Sequence, residues 1–153
     1  MTSYCLNDKI VLIDTKRKET IVTNSTRKYT NHTKLEIEKY LETVKKSIER
    51  DRFIVCNTVK NLKNQLFIQK YKLDSNRQKQ MLIELEVNDF CYSVDNYNNP
   101  QERLYIFCRE YELNNWGTIE KVEVYIKIAV KKDDFIIIVS FHNPEKKIER
   151  LFL

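Results

Sequence analysis

Apolar and polar positions alternate most regularly in the last third of the chain. From Val122 to Val130 every even position is Val or Ile, whereas the odd positions include Glu123, Tyr125 and Lys127. A period of two is typical of a β-strand with one buried face. The pattern therefore predicts a strand with an apolar core face and a polar face.

A helical period precedes this region. Thr33 and Glu36 have the spacing of a capping box. Apolar residues then recur every three or four positions, at Ile37, Leu41, Val44 and Ile48. This pattern predicts a helix from about Lys34 to Arg50.

Two further helices are expected. Thr58 can cap the first of them, whose predicted inward residues are Val59, Leu62, Leu66 and, as a further candidate, Phe67. Ser75 and Gln78 repeat the capping-box spacing and open the next helix, which carries Met81, Leu82 and Leu85.

From Asp89 onward the period is two, and strands are expected at Leu104 to Tyr111, Val122 to Lys131 and Phe135 to Phe141. The short segment Arg52 to Cys56 is expected to be a strand or an extended connector. Helices followed by consecutive strands predict an α+β domain, in which three helices pack on one face of an antiparallel sheet. The other face would meet solvent or a ligand.

The N-terminal part is expected to differ from this domain. Lys9 to Thr23 has the pattern of a β-hairpin, and the polar stretch Asn24 to His32 has that of a linker. We therefore divide the chain into residues 1–33, an N-terminal hairpin and linker, and residues 34–153, the α+β domain. The C-terminal residues 146–152 can form a short amphipathic helix.

Charge and composition narrow the classes of function. The 153 residues carry 27 Lys and Arg against 22 Asp and Glu, a formal charge of +5, which is compatible with a polyanionic partner. The one glycine, Gly117, excludes a Gly-rich phosphate-binding loop, so we expect no nucleotide cofactor. The His and Cys residues lack zinc-ligand spacing, so we expect no metal and no other cofactor. The longest apolar run, Phe135 to Val139, is too short to cross a bilayer, so no membrane partner and a cytoplasmic location are expected.

The last two strands bring together side chains suited to acid–base chemistry. A loop of two or four residues around Asp133 and Asp134 would place Tyr125 and His142 on the same face of the sheet. RNA cleavage without metal needs a base for the ribose 2′-OH, positive charge at the phosphate and an acid for the leaving oxygen. Tyr125, Lys127 and His142 can supply all three, although the same residues are also typical of a plain solvated strand face.

Several blocks in order carry a family resemblance: Asp89 to Ser93, Tyr105 to Phe107, Tyr125 to Ile128 and Val139 to His142. Over roughly Lys34 to Glu145 the chain resembles the motility quorum-sensing regulator (MqsR) family, which are RelE-like mRNA interferase toxins of type II toxin–antitoxin systems. The resemblance implies a RelE-like fold, ribosome-independent cleavage of single-stranded RNA and a cognate antitoxin protein as partner.

The resemblance also assigns residues. The family's strand tyrosine and lysine match Tyr125 and Lys127, and His142 stands where a lysine is typical. A family lysine falls on Tyr92 and a family glutamine on Ile106. We predict Arg109 as a replacement cation on the adjacent strand.

The catalytic candidates are thus Tyr125, His142, Lys127 and Arg109, and the RNA-binding candidates are Tyr92, Tyr105 and Trp116. The alternative interpretation is a catalytically silent RelE-like module that binds or inhibits another protein, because Tyr92 and Ile106 occupy catalytic positions of the family.

Overall fold

A computed structural model describes residues 27–153, so the predicted hairpin Lys9 to Thr23 lies outside the described residues. The described part is an α+β structure with a six-stranded mixed sheet and three α-helices. The elements in chain order are β1 (Lys28–Tyr29), α1 (Lys34–Glu49), β2 (Phe53–Val55), α2 (Leu62–Lys70), α3 (Ser75–Ile83), β3 (Phe90–Asn96), β4 (Asn99–Asn115), β5 (Thr118–Val130) and β6 (Ile136–His142).

The first predicted helix is confirmed in its position, its cap and its buried stripe. The Thr33 side chain accepts a hydrogen bond from the Glu36 backbone N–H, which satisfies one of the free donors at the start of α1. The predicted apolar residues are all buried: Ile37, Leu41, Val44 and Ile48. In α3 the cap is Asp74, whose carboxylate accepts from the Arg77 N–H, and the helix begins at Ser75.

The orientation predicted for α2 is wrong. Leu62 and Leu66 are each 55% exposed, and Val59, in the short 3-10 turn before the helix, is 86% exposed. Phe67 is buried at 4%, and the polar Asn64 shares the inward side with it. Asn64 and Phe67 are three residues apart and therefore lie on one face of the helix. An inward asparagine at this spacing rotates the leucines outward.

The strand order is β1-β3-β4-β5-β6-β2. Four of the pairings are antiparallel, but β2 runs parallel to β6, with Phe53 beside Ile136 and Val55 beside Ile138. The expectation of a purely antiparallel sheet is therefore wrong. After α1 the chain enters β2 at the edge of the sheet. The pairing of β2 with β6 joins residues that are far apart in the sequence, so no local periodicity predicts it.

The linker prediction also fails for Lys28 and Tyr29. These two residues form β1 and pair with Val94 and Ser93 of β3. The Tyr29 hydroxyl donates to Asp95, which ties the segment to the sheet.

Both faces of the sheet carry buried apolar side chains. One face packs against the helices, and there the even positions Val122, Val124, Ile126 and Ile128 of β5 belong to the core, as predicted. The opposite face carries a second apolar cluster that includes Ile106, Cys108, Ala129, Ile137 and Val139. A second core thus covers part of the expected open polar face, and Lys127 on that face is only 2% exposed.

The C-terminal segment contributes to this second core without forming the predicted helix. Ile148 packs against the second cluster. Farther along, the Leu151 N–H donates to the Phe90 carbonyl, and the Phe152 ring stacks on that of Phe90 at 6.1 Å. The segment from residue 143 to residue 153, which has no regular secondary structure, therefore crosses the sheet, and we call it the strap. Among residues 27–153, none of the helices combines the length and the apolar character that crossing a membrane requires.

A pair of substitutions on α2 tests its orientation. We expect Phe67→Ala to lower the free energy of unfolding by about 3–5 kcal/mol, because it opens a cavity in the core. Leu66→Ala should change it by no more than about 0.5 kcal/mol, because that side chain is exposed. Urea unfolding followed by circular dichroism measures both. A larger loss for Leu66→Ala than for Phe67→Ala would contradict the orientation described here.

Candidate functional site

A cleft of about 1070 Å³ opens on the face of the sheet opposite the helices. We call it the basic cleft. Its floor is formed by Tyr92 of β3, Tyr125 of β5, and Ser140 and His142 of β6. The strap forms one wall with residues 144–151, and α2 and β1 complete the rim. The volume lies at the upper end of the range for small-ligand pockets.

The described residues that line the cleft are predominantly basic. Five carry positive charge, and two carry negative charge: Lys28, Lys63, Lys146, Lys147 and Arg150 against Glu145 and Glu149. Lys63 forms an ion pair with Glu145, and Arg150 approaches Glu123 at 3.5 Å. The remaining excess of positive charge makes the cleft suited to an anionic ligand.

Tyr125 and His142 are brought together on the cleft floor. They lie directly opposite each other across β5 and β6, on the shared face that the sequence predicts. Their ring centroids are 5.6 Å apart, with the planes inclined by 21°. The pair therefore presents a hydroxyl and an imidazole side by side to whatever enters the cleft.

The path of the chain to this pairing differs from the predicted one. The loop between β5 and β6 has three residues, 132–134, because the Lys131 N–H bonds to the Phe135 carbonyl and Asp134 takes a positive φ of 61°. Next to the loop, Val130 pairs with Ile136, a register that would not place Tyr125 opposite His142.

A β-bulge corrects the register. Ile128 pairs with Ile138, but the next pair is Lys127 with Ser140, so Val139 is an extra residue in β6. A bulge shifts every later pair by one position. Tyr125 and His142 face each other because of this shift.

The Asn64 side chain of α2 holds the bulged part of β6. Strand β2 ends where the Cys56 N–H bonds to the Ile138 carbonyl. Beyond that point the Asn64 amide donates to the Val139 carbonyl at 3.0 Å and accepts from the Phe141 N–H at 2.8 Å. It also donates to the Cys56 carbonyl at 2.8 Å. The amide thus continues the hydrogen-bonding pattern of the strand that has ended.

The tautomer of His142 follows from its neighbour. Its Nδ1 lies 2.7 Å from the Asn143 carbonyl oxygen, which can only accept, so Nδ1 carries the hydrogen and donates. In the neutral ring the lone pair is then on Nε2. That nitrogen is the one able to take up a proton.

Lys127 lies on the same face, behind the pair rather than in the cleft lining. Its ammonium is 5.8 Å from the centre of the Tyr125 ring, and the residue is almost wholly buried. Its positive charge can act on Tyr125 through the protein but does not line the cleft.

Three predicted residues lie elsewhere. Arg109 is on the helix-covered face, where its guanidinium binds Asp89 at 3.1 Å, because its pairing partner Val124 faces that core. Its prediction as a phosphate-holding cation beside Tyr125 is therefore wrong in geometry. Tyr105 is also on the helix side and stacks on Tyr40 at 3.9 Å.

Trp116 stands at the tip of the hairpin between β4 and β5. It is 73% exposed, and the Lys72 ammonium lies 3.8 Å from its ring centre. It does not line the cleft. Strand alternation separates Arg109 and Tyr105 from the cleft, and the length of β4 and β5 separates Trp116 from it.

Tyr92 does line the cleft, and the Lys28 ammonium lies 4.5 Å from the centre of its ring. A cation over a tyrosine face is attracted by the ring quadrupole. Lys28 was missed in the sequence because it lies in the segment interpreted as a linker. Ile106, which the family resemblance matches to a glutamine, is completely buried.

The cysteine thiols of this face are not nucleophiles. Cys91, in the cleft lining, and Cys108 are free and buried. Burial raises the pKa of Cys91 to about 12 and the pKa of Cys108 to about 11. Both stay protonated at neutral pH, and a thiol is a poor nucleophile. Across residues 27–153, no three His, Cys, Asp or Glu side chains are grouped so that they could hold a metal ion.

Comparison with protein-family models and with curated proteins gives no match for this chain. The site is therefore interpreted from its own geometry.

Replacing Asn64 tests its part in the site. Asn64→Leu keeps the branched shape of the side chain but leaves the Cys56 and Val139 carbonyls and the Phe141 N–H without their partner, at a cost of about 1–3 kcal/mol for each buried group. We expect a loss of about 3 kcal/mol or more in unfolding free energy, measured in urea. Gln69→Leu, at an exposed position of the same helix, is the matched control and should be nearly neutral. Equal effects of the two variants would show that the Asn64 amide does not hold β6.

Proposed function

We propose that the protein is an endoribonuclease that binds single-stranded RNA in the basic cleft and cleaves it with Tyr125 and His142, without a metal ion. The observation that carries the proposal is the direct pairing of these two side chains on the floor of a cleft with excess positive charge. The imidazole is the one side chain whose ordinary pKa lies near neutral pH, so it can act as acid or base there.

The roles follow from the atoms. His142 takes the proton of the ribose 2′-OH at Nε2, and the oxygen so activated attacks the adjacent phosphate. The Tyr125 hydroxyl donates a proton to the leaving 5′ oxygen. Lys146 and Lys147 line the cleft, and their positive charges stabilise the negative charge that develops on the phosphate. The positive charge of Lys127, whose ammonium is 5.8 Å from the centre of the Tyr125 ring, acts on this tyrosine from outside the cleft lining.

The more specific assignment is also a proposal. The block resemblance to the MqsR family, together with an α+β architecture that has all three helices packed into one core beside the sheet, supports a RelE-like mRNA interferase. On this proposal the protein acts as a cytoplasmic toxin and is neutralised by a cognate antitoxin protein.

A second candidate is a catalytically silent module that binds protein. Two observations favour it. The position of the family glutamine is the fully buried Ile106, and the predicted cation Arg109 is directed to the opposite face. A cleft of this kind can bind a polyanion without cleaving it.

Cleavage assays separate the two candidates. On a labelled single-stranded RNA in the presence of EDTA, we expect cleavage by the wild type and a loss of about 10²-fold or more for His142→Ala and for Tyr125→Phe, since a positioned acid or base contributes that much. Lys39→Ala, at an exposed position of α1, is the control and should cleave normally. If the wild type binds the RNA but produces no new RNA ends, the silent module is favoured. Cleavage that requires added Mg²⁺ would refute the mechanism.

The salt dependence of RNA affinity tests the cleft itself. Each phosphate contact with a single strand contributes roughly 0.7 to the slope of log affinity against log salt, because condensed counterions are released. We expect Lys146→Ala to flatten the slope by about that amount and Lys39→Ala to leave it unchanged, measured by fluorescence anisotropy of a labelled RNA. The same flattening in both variants would mean that the RNA is bound outside the cleft.

A further inference from the structure

Helix α2 and the turn before it carry an exposed apolar ridge. Val59, Leu62 and Leu66 are 86%, 55% and 55% exposed. They are spaced three and four residues apart, so they align along one side of the helix. We call these three residues the α2 stripe. Single exposed apolar residues are ordinary on a protein surface, but an aligned row is typical of an interaction site.

The core explains why the stripe faces outward. The inward side of α2 is occupied by Asn64, which bonds to β6, and by Phe67, which packs into the helix-side core. The leucines cannot turn inward without breaking the three hydrogen bonds of Asn64. The exposure of the stripe is therefore built into the fold.

The segment that carries the stripe has only basic charges of its own, while Glu145 of the strap pairs with Lys63 of the same helix and Glu120 of β5 interacts electrostatically with Lys70. Residues 52–73 contain no Asp or Glu, whereas Lys60 and Lys70 lie next to the stripe along the chain and are exposed. A ligand of this surface needs an apolar row to cover the leucines and negative charge to meet the lysines. An amphipathic protein helix with acidic flanks has both features, and helices that dock in this way use the same i, i+3, i+7 spacing.

Two other occupants fit less well. In a symmetric dimer the same patch meets itself, so Lys60 and Lys70 would face the lysines of a second copy. A helix that lies on a membrane gains affinity in proportion to the apolar area it buries, and the stripe offers only three aliphatic side chains with no Trp or Phe anchor.

We propose that the α2 stripe is a docking site for an acidic amphipathic helix of a partner protein. This site is separate from the floor of the basic cleft but adjoins it, because Lys63 of the same helix lines the cleft. A docked partner therefore lies beside the cleft rim. The proposal does not depend on whether the cleft cleaves RNA.

A pair of synthetic helical peptides tests the proposal on the full chain. The first is a stapled amphipathic helix of Leu and Glu, and the second has Lys in place of every Glu. We expect the acidic peptide to bind about tenfold or more tightly than the basic one by fluorescence anisotropy, because only the acidic one matches the lysines.

Three variants locate the binding. Leu62→Ser combined with Leu66→Ser should weaken the acidic peptide about tenfold or more, since it removes the central apolar anchors. Lys60→Glu combined with Lys70→Glu should reverse the preference between the peptides. Leu35→Ser, at a position of α1 that is 59% exposed, is the matched control and should bind as the wild type does.

Four results would overturn the proposal. Three of them concern the peptides: the acidic peptide does not bind, both peptides bind with equal affinity, or the Leu62→Ser, Leu66→Ser variant binds the acidic peptide as tightly as the wild type does. The fourth is that this variant instead abolishes self-association or binding to lipid vesicles. A dimer in sedimentation that this variant abolishes would assign the stripe to a second copy of the chain. Binding to phosphatidylserine vesicles that the variant abolishes, without peptide binding, would assign it to a lipid surface.

Discussion

The side-chain amide of Asn64 makes the hydrogen bonds on which the arrangement of this protein depends. It occupies the place of a neighbouring strand beside β6, at the point where β2 has ended and β6 contains its extra residue. Without such a partner, the carbonyl of Val139 and the N–H of Phe141 would be buried and unsatisfied, which is costly in a protein interior. One inward asparagine thus makes a bulge at the sheet edge compatible with a dry core.

Two features of function follow from that contact. The bulge moves the register of β6 by one residue, and this shift places His142 opposite Tyr125 on the cleft floor. The same contact sets the rotation of α2 about its axis, which leaves Leu62 and Leu66 exposed. The catalytic pair that we propose and the docking surface that we infer are therefore two consequences of one buried amide.

The second core gives the cleft its electrostatic character. The face of the sheet opposite the helices is partly filled by the apolar side chains of Ile106, Cys108 and Ala129. The strap closes this face, and Arg150, which also lines the cleft, donates from its guanidinium to the Cys108 carbonyl. Charges at the wall of a cleft that borders an apolar cluster are screened less than charges in open solvent. The basic residues of the rim therefore act more strongly on a ligand there.

By itself, the sequence determined the elements whose signals are local: the capped helix α1 with its buried stripe, the core face of β5, the adjacency of β5 and β6, and the α+β class. These follow from apolar residues that recur with a period of 3.6 or 2, which is visible within a short stretch of sequence. Only the tertiary structure decided the rotation of α2, the parallel pairing of β2 with β6, the place of Lys28 and Tyr29 in the sheet, and the separation of Arg109 from Tyr125. The physical reason is that each of these depends on which distant backbone group needs a hydrogen-bond partner, or on which face of a strand is already buried. In α2 the need of β6 for the Asn64 amide outweighed the burial of two leucines, and no pattern within the helix records that need.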